Sequence, residues 1–86
     1  MYSLKINKKA FDFLKTLPAC DVRLFYSKLE IVLQDPYASI PFAKRLQNSS
    51  YYRFRFGQYR CIYNVIKSIV TVEVIKIDKR EDIYRR

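Results

Sequence analysis

The chain has 86 residues, of which 50% are apolar and 16% aromatic, so we expect one small domain over residues 1–86 with a modest core, and the composition argues against disorder. Its net charge of +9 favours a polyanionic partner: nucleic acid, an acidic protein or a membrane surface. No apolar run approaches the length of a membrane span, and the N-terminus lacks a signal-peptide segment. We therefore expect a cytoplasmic protein with no membrane partner.

The cysteines favour the same compartment and argue against a metal centre. Cys20 and Cys61 have no metal-ligand spacing around them, and the chain contains no histidine. We expect both to be buried free thiols, with a disulfide as the minor alternative. Neither a metal nor an organic cofactor is expected.

The first part of the chain predicts a strand followed by a helical hairpin. Tyr2–Ile6 alternates as a strand does, and Asn7 is a good N-cap for a helix that ends at Pro18. Asp21 is predicted to cap a second helix, which Asp35–Pro36 stops. Apolar residues recur in both helices at intervals of three or four, so each has one core-facing stripe.

The second part of the chain predicts three strands. Residues 36–50 are expected to be mostly irregular, with Phe42 and Leu46 as apolar anchors. Short connections favour antiparallel hairpins, and the tail from Lys79 could add a helical turn. The predicted class is α+β, a two-layer sandwich in which the N-terminal helical hairpin packs on an antiparallel sheet. The predicted strands are Tyr51–Phe56, Tyr59–Ile66 and Ile69–Ile77.

Basic and aromatic side chains alternate in the first of these strands. A period of two sends Tyr52, Phe54 and Phe56 to one face and Arg53 and Arg55 to the other. Beyond the turn at Gly57-Gln58, Arg60 begins the next strand near the same corner. The planar guanidinium group can hold two phosphate oxygens at once, so this corner is suited to phosphate. An ordinary solvated strand face is the alternative.

Five short motifs of basic, aromatic and glycine residues occur along the chain: Lys44-Arg-Leu46, Tyr52-Arg-Phe-Arg55, Gly57-Gln-Tyr-Arg60, Ile62-Tyr63 and Lys79-Arg-Glu-Asp-Ile-Tyr84. Taken together, these motifs resemble those of the RelE/ParE superfamily of type II toxin–antitoxin systems over nearly the whole chain. Members with RelE activity are implied to cleave mRNA in the ribosomal A site, and ParE-like members to poison DNA gyrase on the same fold.

The resemblance places a nuclease site on five positions of this sequence, namely Arg53, Arg55, Arg60, Arg80 and Tyr84. The sequence departs from the family pattern in residue type, because both basic strand positions are often Lys in nuclease members. Lys79 also stands where many relatives have His.

These residue types fit cleavage of RNA by its own 2′-hydroxyl, which needs a base, cationic donors for the phosphorane and stabilisation of the leaving oxygen. Arg53, Arg55 and Arg60 would hold the phosphorane, and Arg80 would face the leaving 5′-oxygen. Tyr84 is either the base, its phenol made more acidic by nearby arginines, or a platform that stacks on a nucleobase.

A second set of residues is assigned to binding RNA rather than to chemistry. A solubilising basic surface is an equally good interpretation of each lysine taken alone. The set comprises Lys5, Lys8, Lys9, Lys15, Lys44, Arg45, Tyr51 and Lys79.

The favoured hypothesis is a ribosome-dependent endoribonuclease toxin that inhibits translation and needs no metal. The alternatives are a non-catalytic ParE-like gyrase inhibitor and an inactive relative that binds RNA or antitoxin. The implied partners are the ribosome with mRNA and an acidic or amphipathic antitoxin that covers the basic surface. Operator DNA, bound through the toxin–antitoxin complex, is a further partner that the resemblance implies.

Overall fold

The computed structural model describes residues 1–37, 43–46 and 50–79. The expectations for Phe42 and for the C-terminal residues 80–86 lie outside this part of the chain. The described elements, in chain order, are β1 (Ser3–Ile6), α1 (Lys8–Leu14), α2 (Ala19–Gln34), β2 (Ala43–Arg45), β3 (Tyr52–Phe56), β4 (Tyr59–Ile66), a 3-10 turn (Lys67–Ile69) and β5 (Thr71–Lys79).

The strands form one sheet in the order β1-β5-β4-β3-β2. The α+β class with two layers is confirmed. The sheet is not wholly antiparallel, however, because β1 pairs parallel with β5 while every other neighbouring pair is antiparallel. The three-strand meander leaves one edge of β5 open, and β1 can occupy it in parallel because the intervening helices and strands supply the long connection that a parallel pair needs.

The stretch predicted to be irregular contains a strand. Ala43–Arg45 pairs antiparallel with β3, from Ala43 opposite Phe54 to Arg45 opposite Tyr52. Three residues are too few to show an alternating pattern, which is why the sequence did not reveal β2. Leu46 follows directly and is half-buried, and its N–H donates to the carbonyl of Tyr51 at 2.9 Å.

The first helix begins where the sequence predicts and ends one turn early. The side chain of Asn7 accepts a hydrogen bond from the N–H of Lys9 at 2.9 Å, which confirms the N-cap. The helix ends at Leu14 rather than at Pro18. The N–H groups of Thr16 and Leu17 bond to carbonyls three residues back, so the chain tightens into a 3-10 turn before the proline.

The second helix begins two residues before Asp21. Its N-cap is Pro18, which supplies no side-chain hydrogen bond, so the prediction of Asp21 as the cap is wrong. Asp21 lies instead in the first turn, where its carboxylate faces the positive end of the helix dipole. Neither helix of the described part is long and apolar enough to span a membrane.

The core lies between the helices and one face of the sheet. Phe25 of α2 is fully buried, and its ring centroid lies 5.8 Å from that of Phe54 and 5.1 Å from that of Phe56. Tyr63 packs against Phe54 at 5.9 Å and is buried as well. These contacts confirm that the aromatic side chains of β3 face the core, so the other side of the sheet faces away from both helices. We call that side the outer face.

The two hairpin connections differ in type. Gly57-Gln58 joins β3 to β4 as predicted, with Gly57 at φ +57°, a conformation that glycine adopts without strain. The connection predicted at Lys67-Ser68 is longer than expected, because a 3-10 turn delays β5 until Thr71. The turn ends at Val70 with φ 48°.

One cysteine is buried in the core and the other is exposed to solvent. Cys61 lies buried on β4, as predicted, whereas Cys20 is exposed in the first turn of α2, so the buried-thiol prediction is wrong for Cys20. Both are free. Burial raises the pKa of the Cys61 thiol, so it remains protonated and unreactive.

Candidate nucleic-acid interface on the outer face of the sheet

Basic side chains gather on the outer face in two adjacent rows that cross the strands. Residues directly opposite on neighbouring strands share a face, with Cβ atoms about 4.5–5.5 Å apart. The first row runs Lys44, Arg53, Ile62, Lys76, and the second runs Arg55, Arg60, Asp78.

Two arginines stand opposite each other in the second row. Arg55 pairs with Arg60 across β3 and β4, next to the Gly57-Gln58 turn. Like charges directly opposite each other in a sheet are destabilising. On its other side Arg60 stands opposite Asp78, and the planar fork of each guanidinium group matches a pair of phosphate oxygens.

Arg60 is buried although it lies on the outer face, with 2% of its surface exposed. A guanidinium group keeps its charge even in such a place. Because its surroundings have a low effective dielectric constant, its attraction to an arriving anion is stronger than that of a solvated arginine. Arg55, by contrast, is exposed and accessible to a large ligand.

The helical layer fixes the end of β3 that carries Arg55. The Nζ atom of Lys28 on α2 donates a hydrogen bond to the carbonyl oxygen of Arg55 at 2.7 Å. Partial burial lowers the pKa of Lys28, and the charge of Arg55 lowers it further. At the adjoining turn, a Cβ placed on Gly57 would lie 3.3 Å from Oδ1 of Asp21, so α2 also approaches this turn closely.

The predicted RNA-binding residues are not all on this face. Lys44 is, but its neighbour Arg45 pairs with Tyr52 and so belongs to the helix-facing side of the sheet. Lys79 pairs with Tyr59 and likewise lies on the helix-facing side. Tyr51 is exposed just before β3, where its carbonyl accepts the bond from Leu46.

The lysines around the first helix are separate from the arginine rows. Lys8, Lys9 and Lys15 are exposed at α1, in the layer on the opposite side of the sheet. Lys8 and Lys15 both pair with Asp12, at 3.1 and 3.4 Å. The hydrogen bond from Lys8 lowers the pKa of Asp12, and Lys15 lowers it further.

Lys5 shares the outer face but lies at its other end. It stands opposite Glu73 on β5, and its Nζ atom lies 4.0 Å from a carboxylate oxygen of that residue. Its charge is therefore partly compensated where it lies, away from Arg55 and Arg60.

Sequence reasoning missed two residues of the outer face, Lys76 and Asp78. Simple alternation from the buried residues Val72 and Val74 would send both of them toward the core. A register shift in β5 reverses their direction, and Lys76 comes to lie opposite Ile62. The only signal in the sequence was the pair of charges at positions that alternation assigns to the core.

A cleft of about 360 Å³ opens beside this end of β5, against α1. Phe13, Ala10 and Ile75 line it, and Lys76 and Asp78 also border it. No group of three or more metal-ligating side chains lies together within residues 1–37, 43–46 and 50–79. Arg80 and Tyr84 belong to the part of the chain that is not described.

Comparison with known proteins identifies the class of protein. A Methanocaldococcus jannaschii protein, which bears the name of a presumed toxin RelE1, is 30% identical over 98% of this chain and 96% of its own length. The RelE–RelB complex of Pyrococcus horikoshii contains a chain that is 29% identical, with a TM-score of 0.80 over 92% of this chain and 94% of that one. The isolated E. coli RelE toxin is 26% identical, with a TM-score of 0.79 over 99% and 98% of the two chains.

The fold and these similarities are thus those of a toxin of a toxin–antitoxin system. The chain belongs to the RelE/ParE superfamily, and the three relatives named above are RelE proteins. No family model matches the sequence.

Proposed function

We propose that this toxin is an endoribonuclease that cleaves mRNA on the ribosome and thereby stops translation. One observation carries the proposal: Arg55 and Arg60 stand opposite each other, with Arg53 in the adjacent row, on the face of the sheet that points away from both described helices. The membership of the RelE family supports the same chemistry.

In the proposed reaction the 2′-oxygen of one nucleotide attacks the adjacent phosphorus, and the bond from phosphorus to the 5′-oxygen of the next nucleotide breaks. The products are a 2′,3′-cyclic phosphate and a free 5′-hydroxyl. The proton of the 2′-hydroxyl passes to a base, and a proton is supplied to the leaving oxygen. The phosphorane between these states carries additional negative charge on its equatorial oxygens, which cationic donors stabilise.

The arginines of the outer face are the proposed donors. Arg55 and Arg60 would hold the equatorial oxygens from two strands, and Arg53 would contact a neighbouring phosphate. A donor of this kind typically contributes roughly 3 kcal/mol to lowering the barrier. Arg80 would stabilise the leaving oxygen, and Tyr84 would accept the 2′-hydroxyl proton.

In this proposal the ribosome orients the mRNA for cleavage. The chain has no histidine to serve as an acid or base near neutral pH. Such a reaction is fastest when the attacking 2′-oxygen is held in line with the leaving 5′-oxygen, since correct orientation removes much of the activation free energy. Lys44, which lies in the first row beside Arg53, would contact RNA backbone in this complex.

An antitoxin is the proposed second partner. The Pyrococcus relative was solved as a RelE–RelB complex, and the charge of +9 on this chain calls for an acidic or amphipathic protein. Such a partner would neutralise the toxin by covering the outer face, and the pair could bind operator DNA. Titration of the purified toxin with its antitoxin should abolish RNA binding at a fixed stoichiometry.

The function is tested by translating a defined mRNA in vitro and mapping cuts by primer extension. The parent protein should cut only ribosome-bound mRNA. Arg55→Ala should cut about a hundredfold more slowly. Its matched control is Arg23→Ala, which removes an exposed arginine from α2 on the other layer and should leave cleavage unchanged.

Tyr84→Phe separates the base from a stacking role, because it keeps the ring and removes the acidic oxygen. Loss of cleavage with retained binding supports the base, and full cleavage leaves only stacking. Intact mRNA with undiminished translation would overturn the proposal. A gyrase supercoiling assay would then test the ParE-like alternative.

A further inference from the structure

A β-bulge directs Lys76 to the outer face. Ile62 on β4 pairs with Lys76, while the next residue, Tyr63, pairs with Val74, so Ile75 is the extra residue on β5. The register therefore changes between the part of β5 that contacts β1 and the part that adjoins the arginines. Bulges of this kind redirect side chains and are common beside functional sites.

The redirected lysine is held by a neighbouring carboxylate. The Nζ atom of Lys76 lies 3.0 Å from Oδ2 of Asp78, which stands opposite Arg60 in the second row. The lysine side chain is 56% exposed and that of Asp78 is 30% exposed. The ion pair therefore turns the ammonium group along β5 toward the arginine rows and keeps it accessible to solvent.

We propose that Lys76 is an additional phosphate-binding residue of the outer face and that Asp78 positions it. The ligand is the backbone of single-stranded RNA crossing the sheet from β2 to β5, over Ile62. Because its ligand is RNA, this inference rests on the proposed function.

The width of the sheet is large enough for several nucleotides of RNA backbone to cross it from β2 to β5. Neighbouring strands lie about 4.8 Å apart, so three intervals separate Lys44 from Lys76 by roughly 14 Å. Arg53 lies one interval from Lys44, and the half-buried Ile62 occupies the gap between Arg53 and Lys76. A single phosphate cannot contact both ends of such a row, whereas a short run of backbone can.

The test measures how binding depends on salt. The probe is a short labelled single-stranded RNA with methylated 2′-hydroxyls, which cannot be cut, and its affinity is followed by fluorescence anisotropy as salt is raised. Lys76→Gln should lower the slope of log K against log salt by about 0.7, the value for one phosphate contact with a single strand. Lys76→Arg, which keeps the charge, should restore the slope.

The matched control is Lys67→Gln. Lys67 is an exposed lysine of the same strand layer, in the 3-10 turn at the far end of β4, where its Nζ atom lies 5.4 Å from the centre of the Tyr37 ring. Its replacement removes the same charge from the molecule and should leave the slope unchanged. If Lys76→Gln and Lys67→Gln behave alike, Lys76 contacts no phosphate and the inference is wrong.

Cleavage assays on the same proteins separate this inference from the proposed function. If the parent cuts mRNA but Lys76→Gln and Lys67→Gln bind RNA with the same salt slope, only the inference about Lys76 is wrong. A parent that cuts nothing but shows the Lys76-dependent slope keeps the inference and overturns the nuclease. A parent that does not bind the RNA at all overturns the inference directly.

The role of Asp78 is tested by combining Asp78→Asn with Lys76→Gln. If the carboxylate positions the lysine, the change in Kd caused by Asp78→Asn should differ between the parent and the Lys76→Gln background. The same fold-change in both backgrounds would mean that Asp78 acts only by repelling phosphate, and would overturn its positioning role.

Discussion

Two single residues of this chain affect the stability of the fold in opposite directions. Val70 has φ 48° at the end of the 3-10 turn, a region that β-branched residues rarely adopt because the side chain crowds the backbone. Asn7 instead stabilises the fold, since its side-chain oxygen accepts a hydrogen bond from an N–H that the start of α1 leaves without a helical partner. Both lie away from the arginine rows, so their effects on stability can be measured apart from binding.

Val70→Asn should stabilise the protein by roughly 1 kcal/mol, because asparagine tolerates the left-handed region and Val70 is exposed. Urea unfolding followed by circular dichroism measures the change. Ile69→Asn is the control, since Ile69 is also exposed but does not have a positive φ. A Val70→Asn variant that is no more stable than the parent would show that the turn carries little strain.

Asn7→Ala should lower the free energy of unfolding by about 1 kcal/mol, because the N–H of Lys9 loses its acceptor. Asn7→Asp should keep most of the stability, since a carboxylate accepts the same bond and favours the helix dipole. Urea unfolding of the three proteins provides the comparison. Equal stability of the alanine and aspartate variants would contradict a capping role.

Among the elements, α2 determines how the sheet is covered. It places Phe25 against the aromatic side chains of β3 and sends Lys28 to the carbonyl of Arg55. The position of the second arginine row therefore depends on how this helix packs. β5 has a comparable influence, since its bulge decides which of its charged residues reach the outer face.

Phe25→Ala should lower the free energy of unfolding by roughly 3–5 kcal/mol, because it removes a fully buried ring at the centre of the aromatic cluster. Ile31→Ala on the same helix is the control, and its effect should stay within about 1 kcal/mol because Ile31 is exposed. Equilibrium unfolding in urea measures both. Similar losses for the two variants would mean that α2 is not held by this cluster.

For the whole molecule, the buried acidic groups make stability depend on alkaline pH. Burial raises the pKa of Cys61 and that of Tyr63, whose ordinary values are 9.0 and 10.0. As the pH rises, both groups lose their protons in the unfolded chain before they do so in the folded protein, so their contribution to stability falls. The stabilising contribution is complete below pH 9 and decreases above it.

Cys61→Ala should therefore move the onset of this decrease from near pH 9 toward pH 10, the ordinary pKa of the remaining Tyr63. Urea unfolding at a series of pH values measures the onset, which is independent of any loss of packing from the smaller side chain. An onset at the same pH in both proteins would show that the buried thiol does not control it.

Much of the fold and part of the site could be predicted because the signals are local. The alternation of β3 was sufficient to place Arg53 and Arg55 opposite the aromatic residues, and Asn7 indicated the start of α1. The short strand β2 could not be predicted, since three residues are too few to show alternation. The parallel pairing of β1 could not be predicted either, since its partner β5 lies far away in the sequence.

The sequence by itself determined the order of the main elements, the aromatic core face of β3 and the strongly basic character of the protein. Only the tertiary structure decided which cations lie next to one another. Arg45 and Lys79 turn toward the helices, Lys8 and Lys15 pair with Asp12, and the bulge brings Lys76 beside the arginines. The physical reason is that strand register and β-bulges arise from pairing between strands, and one residue of shift moves a side chain to the opposite face.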